Sequence, residues 1–316
     1  MKKNIIILGL AALTLGSCTR FKTGEGGLQY KIHTDADGES IKEGDFIAIS
    51  GTQKTEKDSV IFSTYDTDRP TFLVVDKPQF NGDFFTAISM LSEGDSATIK
   101  LDLDTMAAKT GRPKPPFAAK DRYLLFTVKV QKVVPRGKLS DEEFGKKIDA
   151  FIKSDADAAK KAESGKLKAY IQSKSLKPVV TPSGLNYVVT KAGAGDKAKI
   201  GDTIEVNYTG SFLSGKVFDT SNPEIAKKSG TYNSMRPYAP LKMAVGQGQS
   251  IPGFDEGLML LPKGTKATLI LPSKLAYGEQ GNSGIPPYTP LIFEIEVVKI
   301  TPGKGAIAPP PPPVKK

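Results

Sequence analysis

The chain has 316 residues, of which 39% are hydrophobic and 25% are charged, so it is long enough for two globular domains with connecting segments. Its one cysteine, Cys18, excludes internal disulfides, and its one histidine, His33, excludes a His-dependent triad or a His-rich metal site. The net charge is +10, but lysines are scattered among acidic residues without a module of aromatic and basic side chains, so we expect no nucleic-acid partner.

The N-terminus has the pattern of an export signal. Two lysines follow Met1, and residues 5–15 form an apolar run too short to span a bilayer. The run ends in Leu-Gly-Ser-Cys, which resembles the lipobox of bacterial lipoproteins. The resemblance implies a signal peptide over 1–17, lipidation of Cys18 and a tether over 18–26, with the protein facing the periplasm from the outer membrane. An ordinary signal peptide is the alternative.

Two long stretches of the chain repeat one another. Residues 27–30 read Gly-Leu-Gln-Tyr and residues 184–187 read Gly-Leu-Asn-Tyr, and a Gly-Asp pair follows each at the same spacing. We therefore predict two domains of one fold, over 27–134 and 182–301. Further matching pairs of segments are 60–63 with 216–219, 91–101 with 261–271, and 124–130 with 291–297.

The residues between the repeats, 136–178, predict a helical linker. Ser140 and Glu143 form a capping box that starts a helix, and a second helical stretch is predicted to end before Pro178. We expect a spacer between the domains, and such a segment can also form a homodimer. The apolar positions are Phe144, Ile148, Phe151 and Ile152 in the first stretch and Leu167, Tyr170 and Ile171 in the second.

The second repeat has alternating and apolar segments typical of an antiparallel sheet, separated by glycine and proline. Phe254, Leu258 and Leu261 recur at helical spacing and predict one short helix that ends at 262–264. A helix on one face of a sheet is an α+β arrangement. The strand segments are 202–208, 266–271 and 291–299.

The motifs of this repeat resemble those of the FKBP-type peptidyl-prolyl isomerases. They are Gly-Asp-Thr-Ile-Glu-Val-Asn-Tyr-Thr-Gly (201–210), Val-Phe-Asp-Thr-Ser (217–221), Val-Gly-Gln-Gly-Gln-Ser-Ile-Pro-Gly-Phe (245–254), Leu-Ala-Tyr-Gly (275–278) and Leu-Ile-Phe-Glu-Ile-Glu-Val (291–297). The resemblance implies an α+β fold of two FKBP-like domains, each an antiparallel sheet wrapped on one short helix. It also implies isomerisation of prolyl bonds in unfolded or exported polypeptides.

This reaction needs no nucleophile, metal or cofactor. Rotation about a peptide bond meets a barrier of about 18–20 kcal/mol, and only the bond before proline populates cis appreciably. The twisted amide is less polar than the planar one, so a dry apolar pocket with one or two hydrogen-bond donors favours it.

The resemblance assigns roles to residues of the second domain. Tyr277 would donate its hydroxyl to a substrate carbonyl, and the Ile251 N–H would hold another carbonyl. Asp219 would polarise the amide or pair with Tyr208, and Phe254 would be the floor, where many relatives have Trp. The predicted catalytic residues are Tyr208, Asp219, Ile251 and Tyr277, and the predicted substrate-binding residues are Phe218, Leu241, Met243, Phe254, Ile285 and Phe293.

Some features of the second domain depart from the family pattern. Asn282 replaces a common His, Leu241 replaces a common Phe, and the loop before Ile285 is shorter. The segment 222–240 is longer than in minimal family members. It is either a lid that contacts the residues flanking the proline or a solvated insertion.

The first domain lacks the polar groups of this pocket. Gly51, Ser63 and Ala107 stand where Tyr208, Asp219 and Tyr277 would lie, so we predict a degenerate domain without isomerase activity. Phenylalanines remain and serve either an exposed apolar surface or the core. Those kept at the pocket positions are Phe62, Phe84 and Phe126, and those considered for an exposed surface are Phe80, Phe84 and Phe85.

The chain ends in a proline-rich tail over 302–316, whose five consecutive prolines favour polyproline II. Two functions follow from the sequence. The first is an isomerase that assists the folding of exported proteins. The alternative is a non-catalytic chaperone of the cell envelope that shields unfolded chains.

Overall fold

The computed structural model describes residues 20–303. The predicted signal peptide, Cys18 and most of the proline-rich tail lie outside the described residues. The rest divides into two compact units. The first contains the residues up to Phe62 together with Thr71–Gly137, and the second contains Ser63–Pro70 and the chain from Lys138 onwards.

Each unit is built on a seven-stranded antiparallel sheet. The first sheet contains β1 (Lys22–Thr23), β2 (Gln29–Thr34), β3 (Phe46–Thr55), β4 (Val60–Ser63), β5 (Thr71–Val74), β6 (Ser96–Asp102) and β7 (Tyr123–Val134). The second contains β8 (Val179–Val180), β9 (Asn186–Lys191), β10 (Thr203–Phe212), β11 (Val217–Thr220), β12 (Leu241–Ala244), β13 (Lys266–Leu271) and β14 (Leu291–Thr301).

The two sheets have the same topology. The first has the order β1-β2-β6-β7-β3-β4 with β5 also paired to β3, and the second has β8-β9-β13-β14-β10-β11 with β12 also paired to β10. The long central strands even share a bulge, which lies between Ala48 and Ile49 in β3 and between Glu205 and Val206 in β10. The sequence repeat therefore corresponds to a repeat of structure, and the predicted α+β fold class is confirmed.

The helices are short except for one. They are α1 (Phe84–Ile88), α2 (Leu103–Thr110), α3 (Asp141–Ser173), α4 (Pro223–Ser229) and α5 (Pro252–Met259). Ser140 and Glu143 form the predicted capping box at the start of α3. The prediction of two helical stretches in the linker was wrong, because α3 is continuous over 33 residues. The intervening residues are rich in Ala and Lys, which are strong helix formers, and contain no proline.

The C-terminal half of α3 packs on the sheet of the second unit. Leu167 forms a buried cluster with Ile270 of β13 and Ile292 of β14, and Tyr170 and Ile171 pack beside it. Side chains alternate between the two faces of a strand, so this cluster lies on the face opposite the main core. The linker helix is thus an integral part of the second unit.

The main core of the second unit lies between α5 and the inner face of the sheet. Phe254 and Leu258 of α5 are buried there with Leu269 and Leu271 of β13. A Cβ on Gly257 would lie 2.5 Å from the Leu269 side chain, so this glycine lets the helix approach the strand closely. The helical spacing of the apolar residues therefore identified the correct face.

Both sheets begin before the predicted domain boundaries. Lys22 and Thr23 pair with Tyr30 and Gln29, so part of the predicted tether is a strand of the first sheet. Likewise, β8 precedes the predicted start of the second domain at 182. These edge strands have two residues each, too few to show a period in the sequence.

The phenylalanines of the first unit belong mainly to its core. Phe84 and Phe85 pack against one buried cluster, and Phe80 packs against a smaller one that contains Leu101 and Leu103. The exposed aromatic side chain of this sheet is instead Phe62, which is 52% exposed.

Among the described residues, no helix combines the length and the apolar character needed to cross a membrane.

Candidate active site

A cleft of about 540 Å³ opens in the second unit, beside the N-terminus of α5. Eight of the ten predicted site residues line it. The other two, Met243 and Ile285, are buried in the core cluster that supports the cleft, at 5% and 6% exposure, and do not line it. The lining residues are Tyr208, Phe218, Asp219, Leu241, Gly248, Gln249, Ser250, Ile251, Pro252, Phe254, Tyr277 and Phe293.

Aromatic rings form the floor and one wall of the cleft. Phe254, which is 2% exposed, meets Phe293 edge to face at a centroid distance of 5.0 Å. Tyr208 lies 5.9 Å from Phe254, and Phe218 lies 5.8 Å from Phe293. Edge-to-face contacts of this kind fix ring orientation as well as burying area. The floor is therefore rigid and apolar.

Two glycines allow close packing around the cleft, one against the rings and one against the sheet. A Cβ on Gly210 would lie 2.7 Å from Phe218 and 2.9 Å from Phe293. A Cβ on Gly253, in the first turn of α5, would lie 2.8 Å from Leu271. These two motif glycines thus correspond to close approaches in the structure.

A hydrogen-bonded network closes one rim of the cleft. The Tyr208 hydroxyl donates to Asp219 Oδ2 at 2.7 Å and accepts from Arg236 Nη2 at 2.8 Å. Arg236 also forms an ion pair with Asp219. Of the two alternatives for Asp219, the structure therefore shows the pairing with Tyr208. The participation of Arg236 was not predicted.

The network changes the acidity of its members. Burial, together with the hydrogen bond to Asp219, raises the pKa of Tyr208 to about 12. The hydrogen bond to Asp219 also raises the pKa of Arg236 above its ordinary value. Both groups keep their protons at neutral pH, so Arg236 offsets the charge of Asp219 beside the apolar floor.

Arg236 reaches the rim from the long segment 222–240. This segment contains α4, a helix that was not predicted from the sequence. Asn222 caps the helix, Pro223 is its first residue, and Gly230 ends it in the left-handed conformation at φ 75°. The Asn-Pro start and the glycine seven residues later were the sequence signals that could have identified it.

The remainder of the segment is ordered by aromatic stacking. Tyr232 and Tyr238 stack with a centroid distance of 5.3 Å, and the guanidinium of Arg236 lies 5.6 Å from the Tyr238 ring. The Tyr238 hydroxyl accepts from the backbone N–H of Asn233. Met235 at the tip is 88% exposed. The segment is therefore neither a simple solvated insertion nor detached from the cleft.

Two residues that line the cleft carry hydrogen-bond donors that have no partner among the described residues. Ile251 precedes Pro252 at the start of α5, and within residues 20–303 its backbone N–H meets no acceptor. The Tyr277 hydroxyl likewise has no partner in that part of the chain. An unpaired donor is costly unless water or a ligand accepts from it. The cleft therefore offers two donors above an apolar floor.

The loop that carries the Ile251 donor is held by a buried carboxylate. Both oxygens of Asp255, in α5, accept from the N–H of Gly246, at 2.9 and 3.0 Å. Gln249 Oε1 accepts from the N–H of Ala244 at the end of β12. These bonds fix residues 246–251 between a strand and a helix.

The corresponding place in the first unit keeps the floor without the polar groups. The ring centroids of Phe84 and Phe126 lie 5.1 Å apart, and Phe126, like Phe80 and Met106, packs against the buried cluster that contains Leu101 and Leu103. Gly51 pairs with Val128, just as Tyr208 pairs with Ile295, two residues beyond the shared bulge.

Comparison with known proteins matches the second unit. Residues 195–298 match the family model described as FKBP-type peptidyl-prolyl cis-trans isomerase. FK506-binding protein 1B of Aspergillus fumigatus is 40% identical over 119 residues, which cover 37% of this chain and 94% of that protein. The FKBP-type peptidyl-prolyl cis-trans isomerase FkpA of Escherichia coli (strain K12) is 36% identical over 186 residues.

The match to FkpA covers 55% of this chain and 63% of FkpA. The outer membrane protein MIP of Legionella longbeachae is 37% identical over 157 residues, covering 48% of this chain and 61% of that protein. The crystal structure of FkpA from Escherichia coli superposes with a TM-score of 0.39 and 32% identity over 52% of this chain and 75% of that chain. Because the match to the Aspergillus protein spans nearly its whole length, the chain belongs to the FKBP-type peptidyl-prolyl cis-trans isomerase family.

Proposed function

We propose that the protein is a peptidyl-prolyl cis-trans isomerase whose cleft in the second unit twists the bond before proline. The observation that carries the proposal is the convergence of five aromatic side chains on one cleft that also presents two unpaired donors. The five side chains are Tyr208, Phe218, Phe254, Tyr277 and Phe293.

The mechanism follows from what the cleft offers to a prolyl peptide. The proline ring packs on Phe254 against Phe293, which removes water from the amide. The Tyr277 hydroxyl and the Ile251 N–H donate to carbonyls of the substrate backbone on either side of the ring. They hold the chain while the bond rotates, and the apolar floor favours the less polar twisted amide. No covalent bond forms or breaks.

Asp219 acts in this mechanism through the rim network. Since Arg236 and Tyr208 both bind its carboxylate, it orients these side chains and does not need to transfer a proton. The rim therefore shapes the entrance, while the floor and the two donors act on the amide.

An isomerisation assay on a prolyl tetrapeptide tests the proposal. The full chain should accelerate cis-to-trans conversion, and Tyr277→Phe should lower kcat/KM by about 5- to 30-fold, the equivalent of one hydrogen bond in the transition state. Asp219→Ala should lower it as well, because Arg236 then lacks its partner. Absence of turnover in the parent protein would contradict the proposal that the protein is an isomerase.

The alternative is a chaperone that shields unfolded chains without turnover. An aggregation assay on an unfolded protein, run with the same two variants, separates the two functions. Equal protection by the parent and by both variants, together with lost turnover in the variants, would assign shielding to a different surface. The two unpaired donors favour the isomerase, since shielding needs apolar surface alone.

The cellular setting is also part of the proposal. Related proteins include one named as an outer membrane protein, and the first 18 residues resemble a lipoprotein signal, which together support a place in the cell envelope. Cys18 would carry the lipid anchor, with the outer membrane as its site and exported polypeptides as clients. Mass spectrometry of the mature N-terminus checks the anchor: a diacyl or triacyl mass on Cys18 supports it, and cleavage elsewhere with a free thiol contradicts it.

A further inference from the structure

The helix α3 contacts the loop that carries Tyr277. Midway along the helix, the two carboxylate oxygens of Glu163 accept from the backbone N–H and the side-chain hydroxyl of Ser273, at 2.5 and 2.8 Å. Ser273 is 3% exposed and follows the end of β13 by two residues. Hydrogen bonds to a carboxylate in such a buried place are stronger than those between neutral groups. Both oxygens of Glu163 thus accept hydrogen bonds from one residue of the loop.

Ser273 in turn holds the backbone on both sides of Tyr277. It begins a short 3-10 turn, Ser273–Leu275, and its carbonyl accepts from the N–H of Ala276 and from that of Gly278, both at 2.8 Å. Tyr277 lies between these two bonded residues. The carboxylate on the helix therefore fixes the turn from which the Tyr277 side chain enters the cleft, without touching Tyr277 itself.

A second contact joins the same helix to the far side of the loop. Lys160 Nζ lies 3.2 Å from Glu279 Oε1 and 5.3 Å from the centroid of the Tyr288 ring. The Tyr288 N–H donates to the carbonyl of Gly278. Both Lys160 and Glu279 are more than half exposed, so this pair contributes little free energy. The Glu163 contact, which is part-buried and consists of two hydrogen bonds to a buried serine, is the stronger of the two.

The helix is positioned to make these contacts by its own packing. Lys160, Glu163, Leu167 and Tyr170 recur at spacings of three and four residues and so lie on one face of α3. Leu167 is buried against Ile270 and Ile292 of the sheet. One turn before this anchor, Glu163 lies over the end of β13, where Ser273 begins the loop.

We infer that Glu163 is a positioning residue for the isomerase reaction, acting from the linker helix through Ser273 on Tyr277. The inference rests on the proposed function, because it gives Tyr277 a role in catalysis. A misplacement of a catalytic group by about 1 Å can cost up to about 100-fold in rate. The functional catalytic unit therefore includes α3 and is larger than the segment that matches the family model.

A double-mutant cycle on the full chain tests the coupling. Glu163→Ala should lower kcat by about 3- to 20-fold with a smaller change in KM, since the floor that binds the proline ring remains. In a Tyr277→Phe background the same substitution should have almost no further effect on kcat, because Glu163 acts through that hydroxyl. Equal losses in both backgrounds, or no loss in either, would overturn the inference.

Two further variants serve as controls. Glu163→Gln keeps an acceptor for the Ser273 N–H and an amide that can bond its hydroxyl, so it should recover most of the activity that Glu163→Ala loses. Glu142→Gln makes the same charge change on an exposed part of the same helix, where Glu142 pairs with Lys146, and should leave kcat unchanged. A loss with Glu142→Gln equal to that with Glu163→Ala would indicate a general effect on the helix and would contradict the inference.

Amide hydrogen exchange separates this inference from the proposed function. In Glu163→Ala the amides of Ala276 and Gly278 should exchange faster, while the amides of β14 keep their protection. This result is expected whether or not the protein turns over a prolyl peptide. Unchanged exchange at Ala276 and Gly278 would overturn the positioning role even in an active enzyme, whereas faster exchange in an inactive protein would contradict only the proposed function.

Discussion

The two units keep the same sheet and differ in what they place above its apolar floor. The floor pair is nearly identical, with Phe84 and Phe126 5.1 Å apart in the first unit and Phe254 and Phe293 5.0 Å apart in the second. The second unit adds Tyr208, Asp219 and Tyr277 around this pair, where the first has Gly51, Ser63 and Ala107. The comparison teaches that the aromatic pair is common to both units, whereas these three polar side chains occur in the second unit and are replaced in the first.

The backbone of the first unit also leaves no room for a side chain at Gly51, the position equivalent to Tyr208. A Cβ on Gly51 would lie 1.8 Å from the carbonyl oxygen of Thr127, so no side chain fits there without a shift of β7. The equivalent position in the second unit holds Tyr208 in the same register. Restoring a tyrosine to the first unit would therefore not restore a site.

The largest expected effect is a loss of activity when the aromatic floor of the second unit is changed, and no loss when the floor of the first unit is changed. Phe254→Leu should lower kcat/KM by about 10- to 100-fold, because burying a proline ring against an aromatic floor contributes on the order of 1.5–3 kcal/mol. The matched substitution Phe84→Leu in the first unit should lower the stability of that unit and leave kcat/KM unchanged. The protease-free isomerisation assay checks both, and an equal loss of activity in the two variants would remove the distinction between the units.

The second expected effect concerns the backbone at Gly51. Gly51→Ala should lower the free energy of unfolding of the first unit by about 2 kcal/mol or more, because its Cβ meets the Thr127 carbonyl. Denaturant unfolding measures the loss. As a control, Gly145→Ala in α3 meets no atom within 4 Å and should raise stability by about 0.5–1 kcal/mol. A neutral Gly51→Ala would show that this strand accommodates a side chain.

A smaller effect is expected at the rim of the second unit. Arg236→Ala should lower kcat/KM by about 3- to 10-fold, because Asp219 is left charged without its partner beside the cleft. Lys227→Ala, which removes a cation that lies 5.5 Å from the centroid of the exposed Tyr232 ring, is the matched control and should have no effect. Equal activity of the Arg236 variant and the parent protein would place the network outside the reaction.

The smallest effect is a pH dependence at the same rim. The pKa of Tyr208 is raised in the folded protein to about 12, above its ordinary value of 10. The stability that its protonated hydroxyl contributes is therefore complete below pH 10 and lost as the pH rises towards 12. The difference in unfolding free energy between the parent and Tyr208→Phe should be constant below pH 10 and shrink above it. A constant difference across this range would contradict the buried network.

The sheet, the helix α5 and most of the cleft could be predicted from the sequence. Each corresponds to a regular spacing of apolar residues or to a sequence motif. The apolar positions of α5 and the glycines beside the rings are of this kind. The sequence did not identify Arg236, since a cation in a polar segment looks like a solvated residue until the fold brings it to Asp219. It assigned Met243 and Ile285 to substrate binding, whereas the structure buries both in the core cluster and neither lines the cleft. The alternation along a strand indicates the face of the sheet on which a residue lies. It does not indicate whether that side chain reaches the surface of the cleft.

The linker shows a further limit of sequence patterns. The apolar residues near each end of α3 were recognised, but the contact of Glu163 with Ser273 joins residues 110 positions apart and has no signature in the chain. Such contacts depend on how a helix docks on a sheet, which periodicity alone does not determine.

The central claim is that prolyl peptides isomerise on the floor of the second unit, and a nuclear magnetic resonance titration of the full chain tests it most directly. With a proline-containing tetrapeptide, the ring signals of Phe254, Phe293 and Tyr277 should shift, and exchange peaks between cis and trans peptide should grow with protein concentration. The ring signals of Phe84 and Phe126 should stay unchanged. Shifts confined to Phe84 and Phe126, or exchange peaks without any change at Phe254 and Tyr277, would contradict the account.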